Sequence, residues 1–445
     1  MLAWHAIGPA WWIIGDSVGY VRDALTFQPE TWRPSGYSLL VLWPLIPFHQ
    51  LALVTALQHV MGLAAGTLVY AALLRLGLPR WAAAVAAIPA LLDGYILGSE
   101  QMLASEPLFG LLVTGAIALL LWRFERRPAL AVAGAGLLLG LAATTRIVGL
   151  PLVAVALLVL LVRRAGWPRV ALAGAAFAVP VVGYASWFAF LYGDLNLTAS
   201  SGVFMYGRTT QFVDCARVRF TSAALRRLCP TEPIGQRNES FYVFDSRSPI
   251  GRANLGARGD DALAGQFAIE VIRAQPGDYA VQVLDGLWTS FQWDLGSQPV
   301  DVGFQLHELM DDEARQEGIA YQGSDPGPFY DPLPVGLLAA YQRVLWVPGT
   351  PLLLALAVAV AGLAFGRDPD GRGLRSAVLL SAGMAAALLL VPAMTAIAAP
   401  RYRIPAIPAL CVAAALGVTL LVNRWREARY AGALATPTTC QPNRL

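Results

Sequence analysis

Polar and apolar positions along this chain come in blocks, with the period of neither a half-buried strand nor a half-buried helix. Apolar runs recur near 51–74, 81–98, 103–122, 129–145, 147–162 and 169–191, then near 344–365, 376–397 and 404–422. Each approaches or reaches the roughly 17 to 25 residues that a helix needs to cross a bilayer core. Runs apolar on every face belong inside protein or lipid. The pattern therefore predicts a mostly α-helical, polytopic transmembrane bundle of nine or more spans. The stretch 129–162 is broken only by Thr144-Thr145-Arg146. That triplet reads as a tight turn at the membrane surface, because a charge at the bilayer centre costs at least about 2.5 kcal/mol.

One long polar stretch interrupts the spans. It divides the chain into an N-terminal membrane bundle, 1–192, with a first outer loop at 15–50; an extracytoplasmic domain, 193–340; C-terminal spans, 341–430; and a disordered tail, 431–445. The domain is expected to be small and α/β or irregular. Within it FAIEVIRAQPGDYAVQVLDGLW, 267–288, predicts helix, Pro-Gly break, helix. Residues 2–14 are apolar but too short to cross, and lack the basic start and cleavage site of a signal peptide. They read as the trailing end of a span whose beginning lies upstream, or else as a short Trp-rich interfacial segment.

Composition sharpens the picture. Of 445 residues 56% are hydrophobic and 14% charged, against about 25% charged in a soluble domain. An ordinary soluble enzyme is excluded. The net charge of +3 implies no particular partner and gives no reason to expect nucleic acid. Every fixed cation is arginine; the chain has no lysine. Arg75 and Arg80; Arg123, Arg126 and Arg127; Arg163, Arg164 and Arg169; Arg367, Arg372 and Arg375; and Arg424, Arg426 and Arg429 fall in loops that alternate correctly. The positive-inside rule makes those loops cytoplasmic. Residues 15–50, 99–102, Arg146, 193–340 and 398–403 then face outward, which suits a multi-pass plasma-membrane protein.

Cys215 and Cys229 lie close enough in the polar stretch for a disulfide, which would add about 3 kcal/mol there on an oxidising face. Two unpaired thiols are the alternative. No CxxC, His/Cys cluster, phosphate-binding loop or dinucleotide fingerprint occurs.

The topology brings ionisable residues to one membrane surface: Asp16, Glu100, Glu106, Arg146, Arg401 and Arg403. Any one of them has a plain reading as an interface anchor. Six from five places suit chemistry on a phosphate-linked lipid. Arginine holds phosphate by bidentate, charge-assisted hydrogen bonds, and a carboxylate takes the acceptor proton or holds a divalent cation. Tyr20, Arg33, Tyr37 and His49 lie in the first outer loop and are candidates for contact with the substrate. Tyr20, Tyr37 and Tyr402 are expected at the interface, as anchors or as sugar-stacking rings. His59 falls within a span and reads as a hydrogen-bonded core residue.

Four segments resemble the GT-C membrane glycosyltransferases, in the branch of protein O-mannosyltransferases and lipid-A aminoarabinose transferases. They are Gly15-Asp16-Ser17-Val18-Gly19-Tyr20 with Arg33-Pro34-Ser35-Gly36-Tyr37; Ser99-Glu100-Gln101-Met102-Leu103-Ala104-Ser105-Glu106-Pro107; Gly140-Leu141-Ala142-Ala143-Thr144-Thr145-Arg146; and Arg401-Tyr402-Arg403-Ile404-Pro405-Ala406-Ile407-Pro408. The likeness covers most of residues 15–425 in order and spacing. It implies transfer of a sugar from a polyprenyl-phosphate donor to a protein, glycan or lipid acceptor, with inversion. Asp16 takes the place of the family's general base or metal-adjacent carboxylate. Many members carry a second acid beside it, where this chain has Ser17. Glu100 or Glu106 is then the candidate for the missing carboxylate, a divalent metal is possible, and Arg146, Arg401 and Arg403 are the candidates for the carrier phosphate. A transporter or flippase for a lipid-linked or anionic substrate, and a silent scaffold on the same fold, are the alternatives.

Overall fold

A computed structural model describes residues 10–12, 15–122, 128–293, 312–323, 337, 340–369, 371–396 and 400–434. Arg123, Arg126, Arg127, His5, His307, Cys440, most of residues 2–14, part of the polar stretch and most of the tail lie outside the described residues.

The chain is an α-helical membrane bundle. Each of the nine predicted spans is met by an apolar helical segment. α1, Asp16–Thr26, belongs to the first loop, and a short irregular helical stretch, Ser38–Phe48, follows it. The bundle then runs through α2 (Leu51–Arg75), α3 (Arg80–Leu92), α4 (Gly94–Gln101), α5 (Glu106–Trp122), α6 (Pro128–Thr145), α7 (Leu152–Val162) and α8 (Trp167–Tyr192). Beyond α8 come α9 (Ser201–Thr210), α10 (Glu239–Phe244), α11 (Gly256–Ala274), α12 (Pro276–Thr289) and α13 (Asp312–Gln322). The last spans are α14 (Gly349–Phe365), α15 (Leu374–Thr395) and α16 (Ile407–Leu434). Five helices are long and apolar enough to cross a membrane, or six with α3 and α4 counted as one span bent by 47°. Glu106–Leu121, Ile147–Val162 and Gly349–Phe365 are shorter apolar helices.

The α3–α4 bend sits at Asp93, whose Oδ1 accepts the backbone N–H groups of Tyr95 and Ile96. Its Oδ2 accepts that of Val347 at 2.7 Å, so the carboxylate supplies what the break removes from the helix ladder. Elsewhere small residues set the helix spacing. Gly136 and Gly140 of α6 face the carbonyls of Ala173 and Phe177 on α8 so closely that a Cβ would collide with them. In lipid, where apolar contact alone does not drive association, such close backbone approach does.

The two ends of the bundle differ in chemistry. At one, Arg163 donates to Ser376 Oγ and the Leu120 carbonyl, and Arg424 donates to the Phe365 carbonyl. Arg372 lies against Gly77 at this end too, which brings the 75–80, 163–169, 366–375 and 424–429 stretches together. At the other end, called here the site face, lie the first loop and the helices after α8. Those helices have a buried cluster of their own, including Tyr206, Tyr242, Phe267 and Val271, and a disulfide joins Cys215 to Cys229. This segment is helical and irregular, with no strand among the described residues, which fits the irregular rather than the α/β alternative. Its runs favour helix caps, such as Asn238 at the start of α10 and Ser222 before Ala223–Arg226, over strand alternation. The helix–break–helix expected at 267–288 is met by α11 and α12, which part at Gln275-Pro276.

Candidate functional site

The break between α4 and α5 is where the site is built. Residues 102–105 are non-helical, and chain from three directions docks on them. Trp11 bridges to Met102: its N–H donates to the Gln101 carbonyl at 3.0 Å, and its own carbonyl accepts from Leu103 at 2.8 Å. From α1, Ser17 Oγ donates to the Leu103 carbonyl and the Tyr20 hydroxyl to Ser105 Oγ, each at 2.9 Å. From the α6 end, Arg146 donates to Ser105 Oγ at 3.1 Å. Gly36 lies against the backbone of Thr144 and Thr145 with no room for a Cβ, which brings the Arg33–Tyr37 run onto the same corner. The Arg146 turn falls where the sequence predicts it, with α6 ending at Thr145 and a single 3-10 turn, Ile147–Gly149, beyond.

Around this corner acids and arginines alternate. Arg33 lies 3.1 Å from Glu30 and 3.2 Å from Asp16 Oδ1. Arg401 holds Asp16 Oδ2 at 2.7 Å. Arg146 lies 2.5 Å from Glu106. Tyr402 joins the two halves, with Arg146 and Arg401 stacked at 5.7 Å and 5.5 Å from its ring centre. Side chains of Asp16, Arg33 and Arg401 are 19%, 21% and 22% exposed, so the row is enclosed yet reachable from the site face.

Burial alone would raise the Asp16 carboxyl. The guanidiniums of Arg401 and Arg33, with Arg146 behind them, outweigh burial and hold it well below the ordinary carboxylate range. Burial raises Glu30, partly offset by Arg33. Tyr20 is pushed up by burial and by the Asp16 charge, so its hydroxyl keeps the proton that it donates to Ser105. Beneath the row Asp23, 2% exposed, accepts from Ser35 Oγ at 2.6 Å. Its burial pushes the carboxyl up to about 8, against the pull of the Ser35 hydrogen bond. Ser35 in turn donates its N–H to the Tyr184 hydroxyl at 3.0 Å.

Not every expected residue joins this row. Glu100 is turned away, its Oε2 2.7 Å from His59 Nδ1, while His59 Nε2 meets Gln101 Oε1 at 3.0 Å. Glu100 closes α4 and Glu106 opens α5, and the intervening break sends the two carboxylates in different directions; Glu106 alone meets an arginine of the row. Arg403 also departs. It is 5% exposed, stacks 5.3 Å from the Trp346 ring centre, and its Nη1 has no hydrogen-bond partner among the described residues. Residues 400–406 form a 3-10 turn, in which alternate side chains cannot share a face, so Arg401 and Arg403 diverge. His49 Nδ1 lies 3.0 Å from the Tyr321 carbonyl on α13, away from the acids and arginines. Tyr37 donates to Gln58 Oε1 at 2.5 Å and packs edge-on to Tyr20 at 4.9 Å, supporting the site from below.

Sequence reasoning missed Glu30, Asp23, Ser105 and the bridging place of Tyr402. Glu30 stands three residues before Arg33, a spacing that signals an ion pair in a turn; the others carry no such mark. Among the described residues no group of three His, Cys, Asp or Glu side chains could hold a metal ion. Both Asp16 oxygens face arginines and Glu106 faces Arg146. This donor set does not fit a divalent cation.

No family model and no curated protein matches this chain. Two crystal structures of ArnT from Cupriavidus metallidurans are similar to it, one in the apo state at 14% identity and one bound to undecaprenyl phosphate at 15%. Each alignment covers 98% of this chain and 79% of that chain, at a TM-score of 0.37.

Proposed function

We propose that this protein transfers a sugar from a polyprenyl-phosphate carrier to an acceptor hydroxyl of a protein, glycan or lipid, at the extracytoplasmic face of the plasma membrane. One observation carries the reading: a carboxylate, Asp16, shares a partly open corner at span ends with arginines that are paired to side-chain carboxylates. Lipid-linked phosphate reaches such a corner laterally, its tail remaining in the bilayer.

The ion pair with Arg401 makes Asp16 too weak a base to take a proton from a hydroxyl. A donor phosphate is a second anion competing for the same guanidinium. As Arg401 and Arg146 turn to the phosphate, Asp16 loses its strongest cation and regains basicity. It then accepts the acceptor proton while the acceptor oxygen attacks the anomeric carbon. The bond from that carbon to the phosphate oxygen breaks, the configuration inverts, and polyprenyl phosphate leaves against the arginines. In this scheme the base is silent until the donor is bound. Tyr402, between the two cations, keeps them on one side of the turn.

The test supplies membranes containing this chain with radiolabelled polyprenyl-phosphate sugars and an acceptor extract, and follows label leaving the lipid fraction. Transfer that requires Asp16 supports the reading. No turnover of any donor by folded protein overturns it.

A specific observation favours a second reading, transport: Glu100 of the bent α3–α4 pair is buried against His59 of α2, and ionisable groups on broken helices mark substrate paths. Single cysteines at 106 and 146 discriminate. Labelling that switches between two membrane faces favours transport; access from the site face alone favours transfer.

A further inference from the structure

α12 is tied at both ends to the tips of neighbouring spans. Near its start Tyr279 donates its hydroxyl to the Met394 carbonyl, in the last turn of α15, at 3.0 Å. The carbonyl of its residue Gln282 accepts from Arg208, whose Nε also reaches the Ala393 carbonyl at 3.0 Å. Just past its other end Gln292 accepts the Gly349 N–H at 3.0 Å and Phe291 accepts the Thr350 hydroxyl at 3.3 Å, both from the first turn of α14. The end of α15 and the start of α14 are at the same membrane face, because the two spans run in opposite directions. A helix pinned at both ends at one depth has its axis along the membrane plane.

The faces of that helix are unlike. Val283 and Gly286 are buried, Gly286 against Arg208 of α9 and Ala393 of α15. Val281, Leu284 and Trp288, spaced i, i+3 and i+7, share another face and are 67%, 64% and 58% exposed. Trp293, just beyond, is 63% exposed. Asp278 and Asp285 flank this face rather than interrupt it. Water is a poor partner for such a stripe, and span ends lie at the depth where Trp and aliphatic side chains meet headgroups and acyl chains.

We infer that α12 is an interfacial helix, with the Val281–Leu284–Trp288 stripe seated in the lipid of the site-face leaflet. The part of the chain after α8 is thus held to the bilayer by its own contact as well as by its tethers to spans. Of the bordering carboxylates Asp278 is paired with Arg217 at 3.0 Å, and Asp285 leaves the border with a net negative charge, so zwitterionic lipid is the matching surface. This contact is independent of the sugar-transfer reading.

The experiment uses the full chain in phosphatidylcholine vesicles, with Cys411 and Cys440 replaced by alanine and the Cys215–Cys229 disulfide retained. Nitroxide is placed singly at Val281→Cys, Leu284→Cys and Trp288→Cys, with Arg247→Cys, 82% exposed as a side chain, as the aqueous control. Power saturation then compares collision with oxygen, which concentrates in lipid, and with a nickel chelate, which stays in water. The expected oxygen-to-nickel ratio is several-fold higher at all three stripe positions than at 247. Ratios equal to that control overturn the inference. Exposed sites tolerate the label, and quenching of bimane on the same cysteines by doxyl-labelled lipid gives a second reading with the same two outcomes.

Discussion

Arg401 places a guanidinium nitrogen 2.7 Å from Oδ2 of Asp16, a carboxylate 385 residues away in the chain. The pair joins the first loop to the start of the last span, and it sets the state of the candidate base. Asp16→Asn keeps the size and the acceptor oxygen but removes proton acceptance. It is expected to lower kcat for transfer by about 10²–10⁴-fold, the usual worth of a positioned base, and to lower donor KM, because Arg401 no longer has a carboxylate to leave. Arg401→Gln is expected to raise donor KM, and Arg401→Lys not to restore it, since a point charge does not replace a planar fork. Near-normal transfer by Asp16→Asn sinks the base assignment.

The neighbouring pair responds differently. Arg146 and Glu106 stand 2.5 Å apart with side chains 14% and 4% exposed. Removing one charge leaves the other enclosed and unpaired, at a cost of about 3–5 kcal/mol. Glu106→Gln should therefore lower the melting temperature in detergent, and Glu106→Gln with Arg146→Met should recover much of that loss. If Arg146 also binds the carrier phosphate, Glu106→Gln frees it and donor KM falls although stability falls too. Binding of undecaprenyl phosphate alone, measured calorimetrically, reads that step without turnover. Tighter binding in the single variant and weak binding in the double variant are expected; equal binding in both removes Arg146 from the phosphate site.

The membrane bundle was legible because a bilayer leaves a coarse mark: uninterrupted apolar length, and arginine confined to alternate loops. Asp16, Arg146 and Arg401 were legible for a related reason, since charges at span ends are few and topology sorts them to one face. What the pattern does not carry is azimuth. Whether Glu100 or Glu106 meets Arg146 depends on how the chain turns through 102–105, and that turn is set by Trp11 and Ser17, remote in sequence. Arg403 falls in the same gap, since the sequence does not mark the 3-10 turn at 400–406 that parts it from Arg401. Glu30 and Asp23 stayed hidden because acids in a polar loop look solvated until the fold buries them.

Asp23 gives a pH signature. Its carboxyl, pushed up to about 8 by burial, keeps its proton in the folded protein at pH values where the unfolded chain has lost it. A folded-state pKa raised above the unfolded value contributes stability that is fully present below about 4 and is lost as pH rises through about 8. Asp23→Asn has no such proton to lose and still accepts from Ser35. The variant should gain on the parent in melting temperature between pH 5 and 8, with the gap level above that. A gap independent of pH would show that Asp23 ionises freely in the fold.

Arg208 is the bolt between the helices after α8 and the spans. At 2% exposure it donates to the carbonyls of Ala393 and Gln282 and faces Glu239 at 3.5 Å. Arg208→Ala strips two carbonyls of their donor and leaves a cavity where α9, α12 and α15 meet. Each orphaned group costs about 1–3 kcal/mol. The loss falls on the attachment and not on the interior of the spans, so the readout must be local. Limited trypsin digestion in detergent should cut between 201 and 289 sooner in this variant, while bundle fragments persist; unchanged cutting means that the attachment is carried elsewhere. Glu239 adds a condition. Burial, against the attraction of Arg208, raises its carboxyl to about 7, so its contribution is fully present below about 4.5 and is lost as pH rises through 7. Cutting in the parent should accelerate from pH 5 to 8, and Glu239→Gln, which keeps an acceptor for Arg208 without a titrating proton, should flatten that dependence.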